Sequence, residues 1–417
     1  MKNQKRFFKS MAFNYQALRT MGHTRGAEPG ECLAAMQAIR DGDTESWYAA
    51  WFRMGKCCEE WAERSTDARS CGHAYLRASN YYRCSEFFLN PGDERKIPAY
   101  NISAGMFQRG LIALGIRHEI WDVPYEDATM RAYFFPGDSG KPLIMVCGGY
   151  DSTNEESFFW IGSAAIERRY PCIMFEGPGQ SNMIRKYGII FTPAWEKPVR
   201  CIIDYAEGRK SELFMSRKIL FGISLGGRLV PRAAALEKRI DALVIFGGAF
   251  YDVYQTALNQ GPLIACYIHR MGMKRVFNIF AWLKSKKDIG LRWAINNGCW
   301  TMHVDNAYDL INQFHSYDLG DYAEAIACDV LILHGEGDHF YNEKAMLPFT
   351  DRMINARSIR HHTFRFREGS SAHCQAGALE QAAMVFFDWV KAIGEEKSDK
   401  TNMPAFNPSS EGRTQSA

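Results

Sequence analysis

The chain has no run of eighteen consecutive apolar residues, so no segment is long enough to cross a bilayer as a helix. It has no C-x-x-C motif either. Its 12 cysteines are scattered, and the one adjacent pair, Cys57-Cys58, is too close for ordinary bridging. They are expected to be reduced thiols and small core residues of a cytoplasmic protein. An excess of one charge sign is also missing: 50 Lys and Arg stand against 47 Asp and Glu, a formal net charge of +3. Without a polybasic stripe interleaved with aromatics, nucleic acid is not expected as a partner, and without a spanning segment neither is a membrane. The opening residues Met1 to Phe8 are basic but carry no continuous apolar stretch, so they do not read as a secretory signal. No internal repeat is evident. Glu176-Gly177-Pro178-Gly179-Gln180-Ser181 has neither the lysine of a phosphate-binding loop nor the third glycine of a dinucleotide site. No cofactor and no metal are expected.

What the chain does have is a length of 417 residues, 47% of them hydrophobic, enough for a large core with additions. Its centre of interest is Gly222-Ile223-Ser224-Leu225-Gly226-Gly227, where the apolar run from Lys218 ends and a helical pattern begins. Strand, sharp turn, helix, with serine at the apex: such an elbow lifts a hydroxyl beside free backbone N–H groups at a helix start. By chance alone the G-x-S-x-G pattern arises in roughly one chain in ten of this length, given glycine near 7% of residues. Context must carry the rest.

Residues 1–30 are a weakly patterned lead-in. From Gly30 to about Leu89 the pattern is helical: Trp47, Trp51, Met54, Cys58 and Trp61 share one face, with Asp43 or Thr44 as cap. Asn90-Pro91-Gly92-Asp93 ends this block, and Ile97–Leu114 carries another helix. From His118 short β-rich runs begin. Met130–Phe135 and Pro142–Cys147 flank Pro136-Gly137-Asp138-Ser139-Gly140, a hairpin signal. Strands are expected at Pro171–Phe175, Lys218–Phe221, Ala242–Phe246, Asp329–Leu333 and Thr363–Phe366, alternating with helices, one of them Pro193–Phe214 broken at Pro198. That alternation implies a mostly parallel sheet covered on both faces, an α/β fold. The expected division is a helical N-terminal region over 1–117, an α/β-hydrolase core over 118–254 and 321–392, a helical cap inserted at 255–320, and a disordered polar tail at 393–417.

A serine nucleophile needs a base, and the base needs an acid to orient it, in the chain order serine, acid, histidine. Groups of this kind sit beyond the carboxyl ends of the strands. Asp338 lies in a Gly-rich turn after Val330-Leu331-Ile332-Leu333, with Glu336 beside it and Asp252 after the previous strand as alternatives. His373 lies in the loop before the C-terminal helix Ala378–Val390. His361 and His362 are expected ahead of the last strand, at its wrong end. His334 and His339 flank the acid turn. They raise a metal reading with Asp338, but the acid role explains Asp338 better. The oxyanion would meet the backbone N–H of Leu225 and a second donor, Gly149 or Tyr150, in the loop Cys147–Thr153.

The elbow, Gly148–Glu156, Phe175–Gln180 and Ser371–Gln375 together resemble a branch of α/β hydrolases with a long helical N-terminal part. That branch includes the bacterial 2,6-dihydroxypseudooxynicotine hydrolase, the fungal heptaketide hydrolase of melanin formation, and hydrolases of fusarin- and cytochalasan-type clusters. The resemblance covers roughly residues 30–392. It implies a catalytic set of Ser224, Asp338 and His373, and a polyketide-derived small-molecule substrate. It also implies an auxiliary site at Asp151, where the nicotine-pathway enzyme uses a longer glutamate. Members of the branch either hydrolyse esters or C–C bonds with water, or close a ring by internal acylation. The alternative is a non-catalytic protein of the same fold that binds a biosynthetic intermediate. The N-terminal helices could pair with a second subunit as a homodimer.

Overall fold

Leu143–Cys147 and Ala242–Phe246 are short apolar runs buried along their whole length, the signature of central strands covered on both faces. The computed structural model describes residues 7–249, 252–259, 261–341 and 343–395. Its sheet has eight strands in the order β1-β2-β4-β3-β5-β6-β7-β8. They are β1 Glu119–Tyr125, β2 Ala128–Phe135, β3 Leu143–Cys147, β4 Cys172–Phe175, β5 Lys218–Ile223, β6 Ala242–Phe246, β7 Asp329–Gly335 and β8 Ser358–Phe364. β2 runs antiparallel to both its neighbours, and every pairing from β4 to β8 is parallel.

Five helices precede the sheet: α1 Met11–Met21, α2 Pro29–Gln37, α3 Thr44–Arg64, α4 Ala68–Glu86 and α5 Lys96–Ala113. Ser10, Asp43 and Asp67 cap α1, α3 and α4 by accepting hydrogen bonds from first-turn backbone N–H groups. Trp47, Trp51 and Cys58 of the expected stripe are buried on α3, whereas Trp61 at its end is exposed. Phe13 of α1 inserts among them, its ring centroid 4.6 Å from Trp47 and 5.0 Å from Phe88. The lead-in therefore holds a full helix. Its charged and amide-bearing sequence hides the pattern, because Asn14, Gln16 and Arg19 are buried as polar partners.

Within the sheet region the helices are α6 Asn154–Ser157, a π-helical turn Phe158–Gly162, α7 Ser163–Glu167, α8 Ser181–Tyr187, α9 Glu196–Arg209 and α10 Leu225–Leu236. Between β6 and β7 lie α11 Val253–Asn259, α12 Leu263–Arg270, α13 Lys274–Ser285, α14 Ile289–Thr301 and α15 Ala307–Gln313. After β7 come α16 Leu347–Thr350 and, at the end, α17 Leu379–Glu395. Most of the stretch expected to be a disordered tail, from residue 396 on, lies outside the described residues.

Three expectations need correction. β2 and β3 do not form a hairpin. β4 lies between them, and the connecting loop crosses its start, where Asp138 N–H donates to Arg169 O at 2.8 Å. The tight turn is instead Glu126-Asp127, between β1 and β2. Pro198 does not break α9: it sits in the first turn, where a missing N–H leaves no bond unmade. β8 begins at Ser358, so His361 and His362 lie inside it, opposite Ile332 and Leu333. It is the edge strand, and its polar residues conceal it from a hydrophobicity reading.

Phe13→Ala is expected to destabilise the protein by about 3–5 kcal/mol, because the aromatic nest around it cannot collapse to fill the space. The check is the midpoint of urea unfolding; an unchanged midpoint would show that this side chain does not anchor α1.

Candidate active site

β5 ends at Ile223 and α10 starts at Leu225, so Ser224 alone makes the turn, with φ 56° and ψ −122°. This strained backbone is fixed from both sides: Ser224 N–H donates to Phe246 O at 2.8 Å, and Gly227 N–H donates to Ser224 O at 2.9 Å. The flanking glycines are required by contact. A Cβ on Gly222 would stand 2.4 Å from Gly226 O, and one on Gly226 would stand 2.4 Å from Gly148 O. Strand, helix and the loop after β3 therefore meet backbone to backbone around the serine.

His373 Nε2 lies 2.8 Å from Ser224 Oγ, and its Nδ1 lies 2.6 Å from Asp338 Oδ2. Asp338 also accepts from Phe340 N–H at 2.8 Å. Burial disfavours its charge, and the adjoining His373 outweighs that, holding the carboxyl below its ordinary range. For His373, burial works against the cation and the Asp338 carboxylate prevails, so its pKa stands above that of a free histidine. The alternatives are engaged elsewhere. Glu336 accepts from Phe366 N–H at 2.9 Å, and Asp252 accepts from Gln255 N–H at the start of α11. His339 packs against Tyr15, with desolvation pushing its pKa down to about 4, and it lines the same cavity as His373. His334 packs on Tyr341. No group of three or more potential metal ligands occurs among the described residues.

The loop after β3 approaches so closely that a Cβ on Gly149 would lie 2.8 Å from Ser224 Cβ and 3.1 Å from Leu225 N. Gly149 N–H is itself engaged, donating to Ser152 Oγ at 2.6 Å, while Tyr150 N–H has no such partner among the described residues. Gln180 clamps the loop from behind. Its Nε2 donates to Gly148 O at 2.6 Å and Gly149 O at 3.1 Å, and its Oε1 accepts from Gly177 N–H. The Gly-rich run 176–181 therefore buttresses this loop. Tyr150 Oη in turn donates to Ala294 O of α14 at 2.9 Å.

Arg19 went unnoticed in the sequence. From α1 its Nη1 donates to Asp151 at 2.7 Å, and its Nε and Nη2 pair with Glu156. Arg83 stands 3.4 Å from the same Glu156. Tyr15, one turn earlier, donates from its hydroxyl to His373 O at 3.3 Å. Ser10 as a cap and Gly22 as a stop, with no Gly or Pro between, were the signals available for this helix.

Ser224, His373, Asp151, Arg19 and Tyr150 all line one cavity of about 870 Å³, walled by Phe87, Trp160, Phe277, Phe280 and Trp293 among others. A polar side chamber of about 20 Å³, room for one water molecule, lies behind Tyr150 and Asp151, with Lys96, Glu86 and Arg185 in its walls.

No protein-family model matches the chain. Hydrolase LUC6 from a Fusarium species is 31% identical over 92% of this chain and 96% of its own length. The 20-hydroxy-prefusarin hydrolase FUS2 of Gibberella moniliformis is 30% identical over 94% of this chain and 99% of its own. The crystal structure of 2,6-dihydroxy-pseudo-oxynicotine hydrolase superposes with a TM-score of 0.68, covering 90% of this chain and 95% of that one at 19% identity, a likeness of fold.

Burial opposes charge on Glu156, but Arg19, Arg83 and His23 bring its pKa from 4.5 down to about 2. A carboxyl depressed in the folded state adds stability above its unfolded pKa, and that stability is lost as pH falls from about 4.5 to about 2. Arg19→Gln removes the largest favourable partner. It is expected to cost roughly 3–5 kcal/mol at neutral pH and to move acid unfolding, followed by circular dichroism, to higher pH. An unmoved acid transition would assign the charge balance to Arg83 alone.

Proposed function

The chain belongs to the fungal α/β hydrolases that include LUC6 and 20-hydroxy-prefusarin hydrolase, and we propose that it is a serine-nucleophile hydrolase acting on a polyketide or polyketide–amino-acid intermediate. One observation carries this reading: Ser224, His373 and Asp338 form an unbroken hydrogen-bonded chain that opens on the large cavity.

With Nδ1–H donating to Asp338, the free Nε2 of His373 accepts the Ser224 proton as Oγ attacks a substrate carbonyl. The oxyanion accepts from Leu225 N–H at the start of α10 and from Tyr150 N–H, the donor of its loop that Ser152 leaves free. Collapse expels an alcohol, amine, thiol or stabilised carbanion, which takes the proton back from His373. Water, deprotonated by the same Nε2, then attacks the acyl carbon and releases Ser224. Asp151 borders both the cavity and the polar side chamber, and it would accept a hydrogen bond from that water. An internal nucleophile of the substrate reaching the acyl carbon first would close a ring instead. FUS2 is named for a substrate, 20-hydroxy-prefusarin. A cavity of about 870 Å³ with largely aromatic and aliphatic walls supports a substrate of that class.

Ser224→Ala is expected to lower turnover by roughly 10⁴-fold or more with the circular dichroism spectrum unchanged. A fluorophosphonate should add to Ser224, detected as a peptide mass shift. Folded wild-type protein that resists labelling, or a variant that retains turnover, would sink the covalent mechanism and favour a binding role. In ¹⁸O-labelled water, label in the product acid marks hydrolysis and its absence marks ring closure.

Asp338→Asn removes the group that raises His373. The acid limb of the kcat/KM profile, set by protonation of the base, is therefore expected to move to lower pH while the rate falls by about 10⁴-fold. A limb that stays in place would show that another group titrates there.

A further inference from the structure

Helices α12 and α13 are apolar on both faces. Their inner faces bring Ala265, Phe277, Phe280 and Ala281 to the cavity wall. Their outer faces carry Leu263, 88% exposed, with Tyr267 one turn on along α12 and Met271 just past its end, and Val276, Ile279 and Leu283 at helical steps on α13, beside Trp282, 56% exposed. A lone exposed leucine needs no explanation. Here, however, nine of the 25 large apolar side chains exposed among the described residues fall between Leu263 and Leu283. Such concentration marks an interaction surface.

Charge identifies what the surface meets. From Leu263 to Lys287 there are six cations, Arg270, Lys274, Arg275, Lys284, Lys286 and Lys287, and no Asp or Glu, in a chain whose overall balance is only +3. Lys274 pairs with Asp309 at 2.7 Å. Arg275 has no carboxylate partner among the described residues, and neither have Lys284 and Lys287, which border the cavity. Lys286 lies over the Trp282 ring, 3.4 Å from its centroid, an ammonium at the rim of an apolar patch. A second copy of the chain is a poor occupant, because an isologous contact sets this cationic rim against itself. An acidic protein would match the cations and leave the aliphatic stripe without a stated counterpart. An anionic lipid surface answers both features, acyl chains for Leu263, Ile279 and Trp282 and headgroups for Arg275 and Lys286, as interfacial amphipathic helices do. Helices of 8 and 12 residues are too short to cross a bilayer but long enough to lie in its surface.

We propose that the outer face of α12 and α13 docks this protein on an anionic membrane surface. The expectation of no membrane partner rested on the missing spanning segment, which does not bear on a helix lying in the interface. The docking is independent of the reaction chemistry proposed above.

The test is co-sedimentation of the full chain with vesicles of phosphatidylcholine alone and of phosphatidylcholine mixed with phosphatidylserine. Binding is expected to the mixed vesicles, at least about tenfold tighter than to neutral ones and weakened by salt. The triple variant Leu263→Ser, Ile279→Ser, Trp282→Ser should lose roughly tenfold or more, and Arg275→Gln with Lys286→Gln should flatten the salt dependence. Circular dichroism and sedimentation velocity keep misfolding apart from lost docking. No binding to either vesicle overturns the proposal, as does binding that the serine substitutions leave intact. A dimer that those substitutions split into monomers would assign the face to a second copy.

Discussion

The guanidinium of Arg19, buried between the carboxylates of Asp151 and Glu156, joins the helical N-terminal block to the sheet. Burying any one of these charges alone is costly, and the cluster is stable only when every member has its partner. That requirement fixes α1 in place, and α1 then serves three neighbours from one short helix. Phe13 enters the aromatic nest of α3 and α4, Tyr15 bonds the backbone of His373, and Arg19 reaches the loop after β3. The N-terminal block is thus part of the cavity wall.

A second constraint is steric. Around Ser224 the chain passes so closely that Gly148, Gly149, Gly222 and Gly226 have no room for a side chain against their neighbours. Close packing lets the loop after β3 present backbone N–H groups to the space beside the serine. It also makes the loop depend on support from behind, which Gln180 supplies with both ends of its amide. Precision at the serine is therefore shared among the elbow, the loop after β3 and the run 176–181, which are distant in sequence.

The parts legible in sequence were those with local signals. The central strands announced themselves as continuous apolar runs, and the elbow, the acid turn and the histidine loop each follow a strand. His373 comes within hydrogen-bonding distance of both Ser224 and Asp338. The illegible parts depended on partners far away. Arg19 reads as an ordinary surface charge until Glu156, 137 residues on, is seen to meet it. The strand expected at Thr363–Phe366 starts earlier, at Ser358, because the polar first part of an edge strand needs only one apolar side. The supposed hairpin failed because β4, later in the chain, takes the place beside β2. Nothing within Phe135–Leu143 encodes that choice.

The cap makes the same point in reverse. In sequence α12 and α13 fall in the segment expected as an inserted cap, and their inner faces line the cavity that holds Ser224. Their order in the fold leaves the outer faces exposed among the described residues. A cap needs one apolar face to enclose an apolar cavity, and enclosure gives no reason for a second. The second face, with cations beside it and no acid among them, needs a cause outside the chain. The membrane interface supplies one, because it matches the apolar stripe and the positive rim together.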